Sequence, residues 1–308
     1  MSSLFAFPGQ GAQRPGMLQG LRDVPLGRAC LEEASDVLGE AVAQLDSPAA
    51  LASTRAVQLC LLVAGVAAAR GLLQRNPAPQ FVAGLSIGAY PAAVIAGALD
   101  YADAVRLVAL RGELMQRAYP TGHGMTALIG LDQTTVEALI ASAAEPVFLA
   151  NINAEQQFVI AGSDSAMAAL AARAVAAGAR VAKRLAMSVP SHCALLAQPA
   201  AELAQAFAGV TLRRPAMTFL SSSSARVLHD AEALGDDLAY NMCRRVDWAG
   251  TLRNAFERGA RLLIELPPGA VLSGLARPVF NPGTVVACQD ARPDTLDALL
   301  RREVETTR

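Results

Sequence analysis

The 308-residue chain almost lacks lysine: Lys183 is the only one, and the other 25 of its 26 basic residues are arginine. Against 27 acidic residues the net charge is −1, which leaves no basic surplus to neutralise phosphates and excludes a nucleic-acid binder. Histidine is also scarce, with only His123, His192 and His229. The five cysteines (Cys30, Cys60, Cys193, Cys243, Cys288) are odd in number and widely spaced, with no CxxC pair. A disulfide framework and a zinc site are therefore not expected, and a reducing cytoplasm is the natural setting. No HExxH or EF-hand pattern is present, so no metal is expected. The start, MSSLFAFPGQG, has no basic segment and only a four-residue apolar run, Leu4 to Phe7, before Pro8, unlike a signal peptide. The most apolar stretch, Ala56 to Ala69, is about 14 residues long, contains Gln58 and lies between Arg55 and Arg70. It is too short to span a bilayer and reads as a buried helix, so no membrane partner is expected.

Apolar side chains are abundant, at 53% of residues, enough for a large core and incompatible with disorder. Leu4 to Phe7 and Phe81 to Ala83 read as short strands, with a helix expected from Ile87 to Ala98. Strand and helix in alternation imply an α/β fold with a parallel sheet covered on both faces. The middle reads differently, as strand Thr126–Ile129, helix Thr134–Ala143, strand Val147–Ile152, strand Gln157–Ala161, helix Ser165–Ala177 and strand Arg180–Ala186. That βαββαβ order is ferredoxin-like. The expected organisation is a body formed by 1–124 and 188–308, with a small inserted subdomain at 125–187.

Gly84-Leu85-Ser86-Ile87-Gly88 is the only G-x-S-x-G in the chain, and it has a strand before it and a helix after it, as a nucleophile elbow requires. The simpler reading is a glycine-rich turn with a capping serine. A nucleophilic Ser86 needs a base. His192 is the leading candidate, because His123 sits in a Gly-flanked connector and His229 in a polar loop. It is expected in the first turn of a helix through Ala194 to Ala208, where the dipole favours a neutral imidazole; a packing or capping role is the alternative. In the helix Asp103 to Arg117, Arg111 falls on the apolar face with Leu107, Val108 and Leu114, while Arg106 and Arg117 lie on the polar side. An inward guanidinium needs an anion, supplied either by an internal carboxylate or by a ligand. The turn Phe7-Pro8-Gly9-Gln10-Gly11 could aim backbone N–H groups at an oxyanion, but it lacks the P-loop lysine.

Taken together, PGQGAQ at 8–13, GLSIG at 84–88, MTALIGL at 125–131, NINAEQQFVIAG at 151–162, SVPSHCALL at 188–196 and ELPPGAVLSGL at 265–275 resemble the malonyl-CoA:acyl-carrier-protein acyltransferase family. The resemblance covers nearly the whole chain. It implies an α/β-hydrolase-like body with a ferredoxin-like insertion. It also implies Ser86 as nucleophile, His192 as general base, Arg111 on the malonyl carboxylate, and Gln10 and Ile87 N–H groups as the oxyanion hole. Asn241 matches the position whose carbonyl orients the histidine, and Gln58 a glutamine lining the pocket. The family's GHSLGE is GLSIGA here, so Leu85 and Ala89 depart from it, as does Pro267-Pro268-Gly269 from GPG. With STRAVQLCLL, this variant is most similar to the epsilon subunit of malonate decarboxylase.

That branch implies malonyl-CoA as donor and, as partner, an acyl carrier protein in the form of the malonate decarboxylase carrier subunit. The phosphopantetheine-type arm would come from the carrier, with no cofactor held by this chain. Malonyl supply to fatty-acid or polyketide synthesis is the alternative, a serine thioesterase the alternative of another class, and a non-catalytic binding subunit a third. Arg213-Arg214, Arg244-Arg245 and Lys183-Arg184 are the only basic cue to a carrier surface, and solvated surface is the ordinary account of each pair.

Overall fold

Leu4 to Phe7 is fully buried, which suits a strand only in the middle of a sheet covered on both faces. The computed structural model, which describes residues 2–305, places it there. In chain order the strands are β1 (Ser2–Phe7), β2 (Phe81–Gly84), β3 (His123–Ile129), β4 (Val147–Ala154), β5 (Gln157–Ser163) and β6 (Val181–Arg184). They continue with β7 (Thr218–Leu220), β8 (Val227–Leu228), β9 (Val246–Asp247), β10 (Ala260–Glu265) and β11 (Thr284–Ala287). One sheet has the order β11-β10-β1-β2-β7-β8 and is parallel except at the β7–β8 pair.

Period-two alternation sends the two faces of this sheet into separate cores. Phe5, Phe7 and Val82 pack on the side of the helix Thr54–Leu73, while Leu4, Ala6 and Phe81 pack with Trp248 and Leu272. Each such large apolar side chain contributes about 1.5–3 kcal/mol on burial. The helix Thr54–Leu73 is longer than the apolar run suggested. Its 20 residues could cross a membrane by length, but 78% of its most apolar window is inside the fold. It is a core helix.

The second sheet has the order β6-β3-β5-β4-β9, with β5 in the middle and all pairs antiparallel except β4–β9. The expected strands and helices of the middle segment are present. The helices Gln133–Ala141 and Asp164–Ala176 are N-capped by the Asp132 and Ser163 side chains. Their bounds shift: β3 begins at His123, three residues before the expected Thr126, and β4 and β5 each run two residues further than expected. The last strand is only Val181–Arg184; Leu185 N still reaches Met125 O, and Met187 N then turns back to Leu185 O. The sheet also borrows β9 from far down the chain, where Val246 pairs with Asn151, a two-residue strand too short to show a period.

The expected helix after GLSIG is broken. A 3-10 turn, Ser86–Gly88, precedes an α-helix over only Ala89–Ile95. The turn is tight because β1 and β2 run side by side beneath it, with Leu85 N donating to Phe7 O at 3.0 Å. A Cβ on Gly84 would lie 1.9 Å from the Gly88 carbonyl carbon, and one on Gly88 would lie 2.2 Å from Phe7 O. Gly84→Ala is therefore expected to destabilise the protein by about 1–3 kcal/mol or more through overpacking, read as a lower urea midpoint.

Candidate active site

The elbow presents Ser86 at φ +58°, in the left-handed region that a side chain enters at a cost of about 1–3 kcal/mol. His192 is at φ +64°, and among the described residues Ala225 is the only other non-glycine residue with positive φ. Strain is thus concentrated on the candidate nucleophile and the candidate base. Both line one cavity of about 270 Å3, which lies between the two sheets.

His192 is not in a helix. It precedes a 3-10 turn, Ala194–Leu196, and the α-helix begins only at Ala197. The helix dipole therefore does not set its charge state. His192 N donates to Met242 O at 2.7 Å, and Nδ1 lies 2.8 Å from Asn241 O and 3.2 Å from Arg244 O. Carbonyls only accept, so Nδ1 carries the proton and Nε2 keeps its lone pair. Burial, and then the positive charge of Arg111, pull the imidazole down to about 4, against the opposing pull of the Asn241 and Arg244 carbonyls.

Arg111 sits mid-way along the helix Tyr101–Ala118 and is fully buried, whereas the Arg106 and Arg117 side chains are exposed. Its Nη2 donates to Ser86 Oγ at 3.2 Å and to Asn241 Oδ1 at 3.0 Å. Its Nε has no partner, and no carboxylate among the described residues forms a salt bridge with it. Burial lowers its pKa to about 10, with Tyr90 acting in the opposite sense. Of the two sources of an anion open to the sequence, an internal carboxylate is not found among the described residues.

Gln10 lines the cavity, while the Ile87 side chain is buried beneath the elbow. Neither backbone N–H is used in a hydrogen bond within the protein. Asn241 does offer its carbonyl to His192, and its side-chain amide also bridges Arg111 and the Ser86 carbonyl (Nδ2 to O, 3.4 Å). Gln58 does not line the cavity. It lies behind Met115, donating to Sδ at 3.3 Å, and Met115 forms the wall. The sequence reading missed Asn151, Asn153 and Gln157, which reach the cavity from the second sheet. Their signal was two polar residues two apart on a strand, which share one face. Leu85, one of the departures from the family pattern, lines the wall beside Ser86, and Ala89 is buried below it.

The basic pairs are largely engaged on the spot. Arg213 pairs with Asp100 and Arg244 with Asp236, and Arg184 holds Asp164 and the carbonyls of His123, Met125, Leu185 and Met187.

The fold and this cleft define an α/β-hydrolase-like acyltransferase. Residues 4–306 match the model of the acyl transferase domain. The chain is 37% identical over 304 residues to the malonyl CoA-acyl carrier protein transacylase of Escherichia coli K12, covering 96% of this chain and 98% of that one. It is 30% identical over 305 residues to the Bacillus subtilis protein of the same name, with 96% of each chain covered. Among solved structures it resembles a malonyl-transacylase in complex with its type II polyketide synthase acyl-carrier protein. There the TM-score is 0.92 at 35% identity, covering 98% of this chain and 100% of that one. The transacylase of Coxiella burnetii matches with a TM-score of 0.93 at 32% identity, with 98% of each chain covered. The chain belongs to the acyl transferase domain family.

With only three histidines, the ring protons of His192 can be followed individually by NMR titration. His192 is expected to stay neutral down to about pH 4, and Arg111→Met to move its pKa upward by removing a neighbouring positive charge. A native-state value near the ordinary 6.5 would contradict this account of the site.

Proposed function

We propose that the protein transfers a malonyl group from malonyl-CoA to the thiol of an acyl carrier protein by way of malonyl-Ser86. The observation that carries this reading is Arg111, a fully buried guanidinium without a carboxylate partner, set against Ser86 Oγ. A buried cation costs several kcal/mol unless an anion meets it, and the acyl carboxylate supplies one.

His192 Nε2 takes the Ser86 proton as Oγ attacks the thioester carbonyl. The Gln10 and Ile87 N–H groups hold the tetrahedral oxyanion; losing one such donor costs about 2.7–4 kcal/mol. The C–S bond then breaks, and the departing CoA sulfur takes the proton from His192. In the second half, the carrier thiol gives its proton to His192 and attacks malonyl-Ser86, and Ser86 leaves with that proton. The Asn241 and Arg244 carbonyls keep Nδ1 protonated throughout. The segment 125–187 serves as a separate unit that closes one side of the cleft through Asn151, Asn153 and Gln157.

The relatives above are named for transfer to acyl carrier protein, which favours malonyl supply to fatty-acid or polyketide synthesis over the malonate decarboxylase epsilon role. The departures at Leu85 and Ala89 lie in the wall and floor of the elbow and do not distinguish the carriers. The two roles separate by offering the protein an isolated acyl carrier protein and an isolated malonate decarboxylase carrier subunit; transfer to the first is expected.

Intact mass after mixing with malonyl-CoA is expected to show a malonyl adduct that Ser86→Ala abolishes. Steady CoA release without an adduct or a carrier would instead indicate a hydrolase. Arg111→Ala should lower malonyl transfer about 10–100-fold, the worth of a charge-assisted pair of about 1.5–3 kcal/mol, and raise the acetyl-to-malonyl ratio. An unchanged ratio would remove Arg111 from substrate selection.

A further inference from the structure

Ser86 Oγ accepts a hydrogen bond from Arg111 Nη2 at 3.2 Å, and among the described residues no hydrogen bond joins Ser86 to His192. The same Nη2 is fastened to Asn241 Oδ1, and Asn241 Nδ2 reaches back to the Ser86 carbonyl. Arg111 is fully buried and its Nε is unpartnered, so the guanidinium has donor capacity to spare, and among the described residues no carboxylate pairs with it. The oxygen that has to attack is therefore held by a cation. A hydroxyl whose lone pair is engaged this way is a poorer nucleophile, and it is not aligned to give its proton to the imidazole. A carboxylate outcompetes a neutral hydroxyl for a guanidinium, because it brings the opposite charge and can take two parallel N–H donors of the planar fork at once.

We propose that Arg111 selects carboxylated acyl groups through the nucleophile as well as through binding. It restrains Ser86 until the acyl carboxylate draws the guanidinium away, with the Asn241 side chain as its anchorage. This rests on the malonyl-transfer reading and deepens it. When the carboxylate takes the Arg111 donors, Ser86 Oγ turns to donate to His192 Nε2, and the proton moves there as the oxygen–carbon bond forms. An acyl group without the carboxylate meets a serine still held, so discrimination falls on the acylation rate in addition to affinity.

Methanesulfonyl fluoride tests this, being small, neutral and without need of an arginine. The Ser86 oxygen–sulfur bond forms, the sulfur–fluorine bond breaks, fluoride leaves, and the hydroxyl proton passes to His192 and then to solvent. The labelling rate is followed by intact mass. Arg111→Met is expected to label about tenfold faster than wild type, as for loss of one charge-assisted bond. Millimolar propionate, whose carboxylate can occupy Arg111, should accelerate wild type and leave the variant unchanged. Thermal melting shows whether Arg111→Met is folded, with Arg111→Gln as a second variant, and the propionate arm needs no variant. A wild-type rate that propionate leaves unchanged or slows overturns the proposal, as does a folded variant that labels no faster than wild type. Malonyl-CoA added to parallel samples separates the two levels. Absence of a malonyl adduct, with propionate still accelerating sulfonylation, would refute malonyl transfer and leave the restraint standing.

Discussion

A single buried positive charge organises this site. Arg111 lies inside the protein with two neutral oxygens as partners and no carboxylate, an arrangement that costs folding free energy unless a ligand compensates. That same charge helps keep His192 neutral, so the base is ready across the range where an ordinary histidine would be protonated. In the proposed transfer, selection of the substrate and readiness of the base share one cause.

The scaffold keeps this expensive arrangement in place. The central parallel strands β1 and β2 fix the elbow from below, and the loop Asn241–Arg244 fixes His192 through three backbone carbonyls, two on Nδ1 and one on its backbone N–H. The second sheet covers the cleft and is tied to the body by the short β4–β9 pairing. Ser86 and His192 can hold left-handed conformations because the elements around them leave no relaxed alternative.

Much of this was legible in the sequence where the signal is local. GLSIG announces a strand–turn–helix by its glycines, and Arg111 stands out because helical spacing puts it among apolar residues. The βαββαβ order of the middle segment could be read from alternating patterns. What failed was non-local. His192 owes its tautomer to a carbonyl 49 residues away, which no helix-dipole argument could supply. Gln58 is screened by Met115, a packing detail that needs coordinates. The bridge from the Asn241 side chain to Arg111 and Ser86 spans 130 and 155 residues of chain and has no pattern of its own. The choice of carrier is hardest to read, since most of the arginines that suggested a docking face are spent on neighbouring carboxylates and carbonyls.

The central claim is that charge on the acyl group, and not its size, is what the site reads. The direct measurement is the single-turnover rate of Ser86 acylation by malonyl-CoA compared with its methyl ester, which keeps the acyl chain and removes the charge. Acylation slower by about tenfold or more with the ester is the predicted result. Equal rates would show that Arg111 is a structural cation and that the site selects on shape.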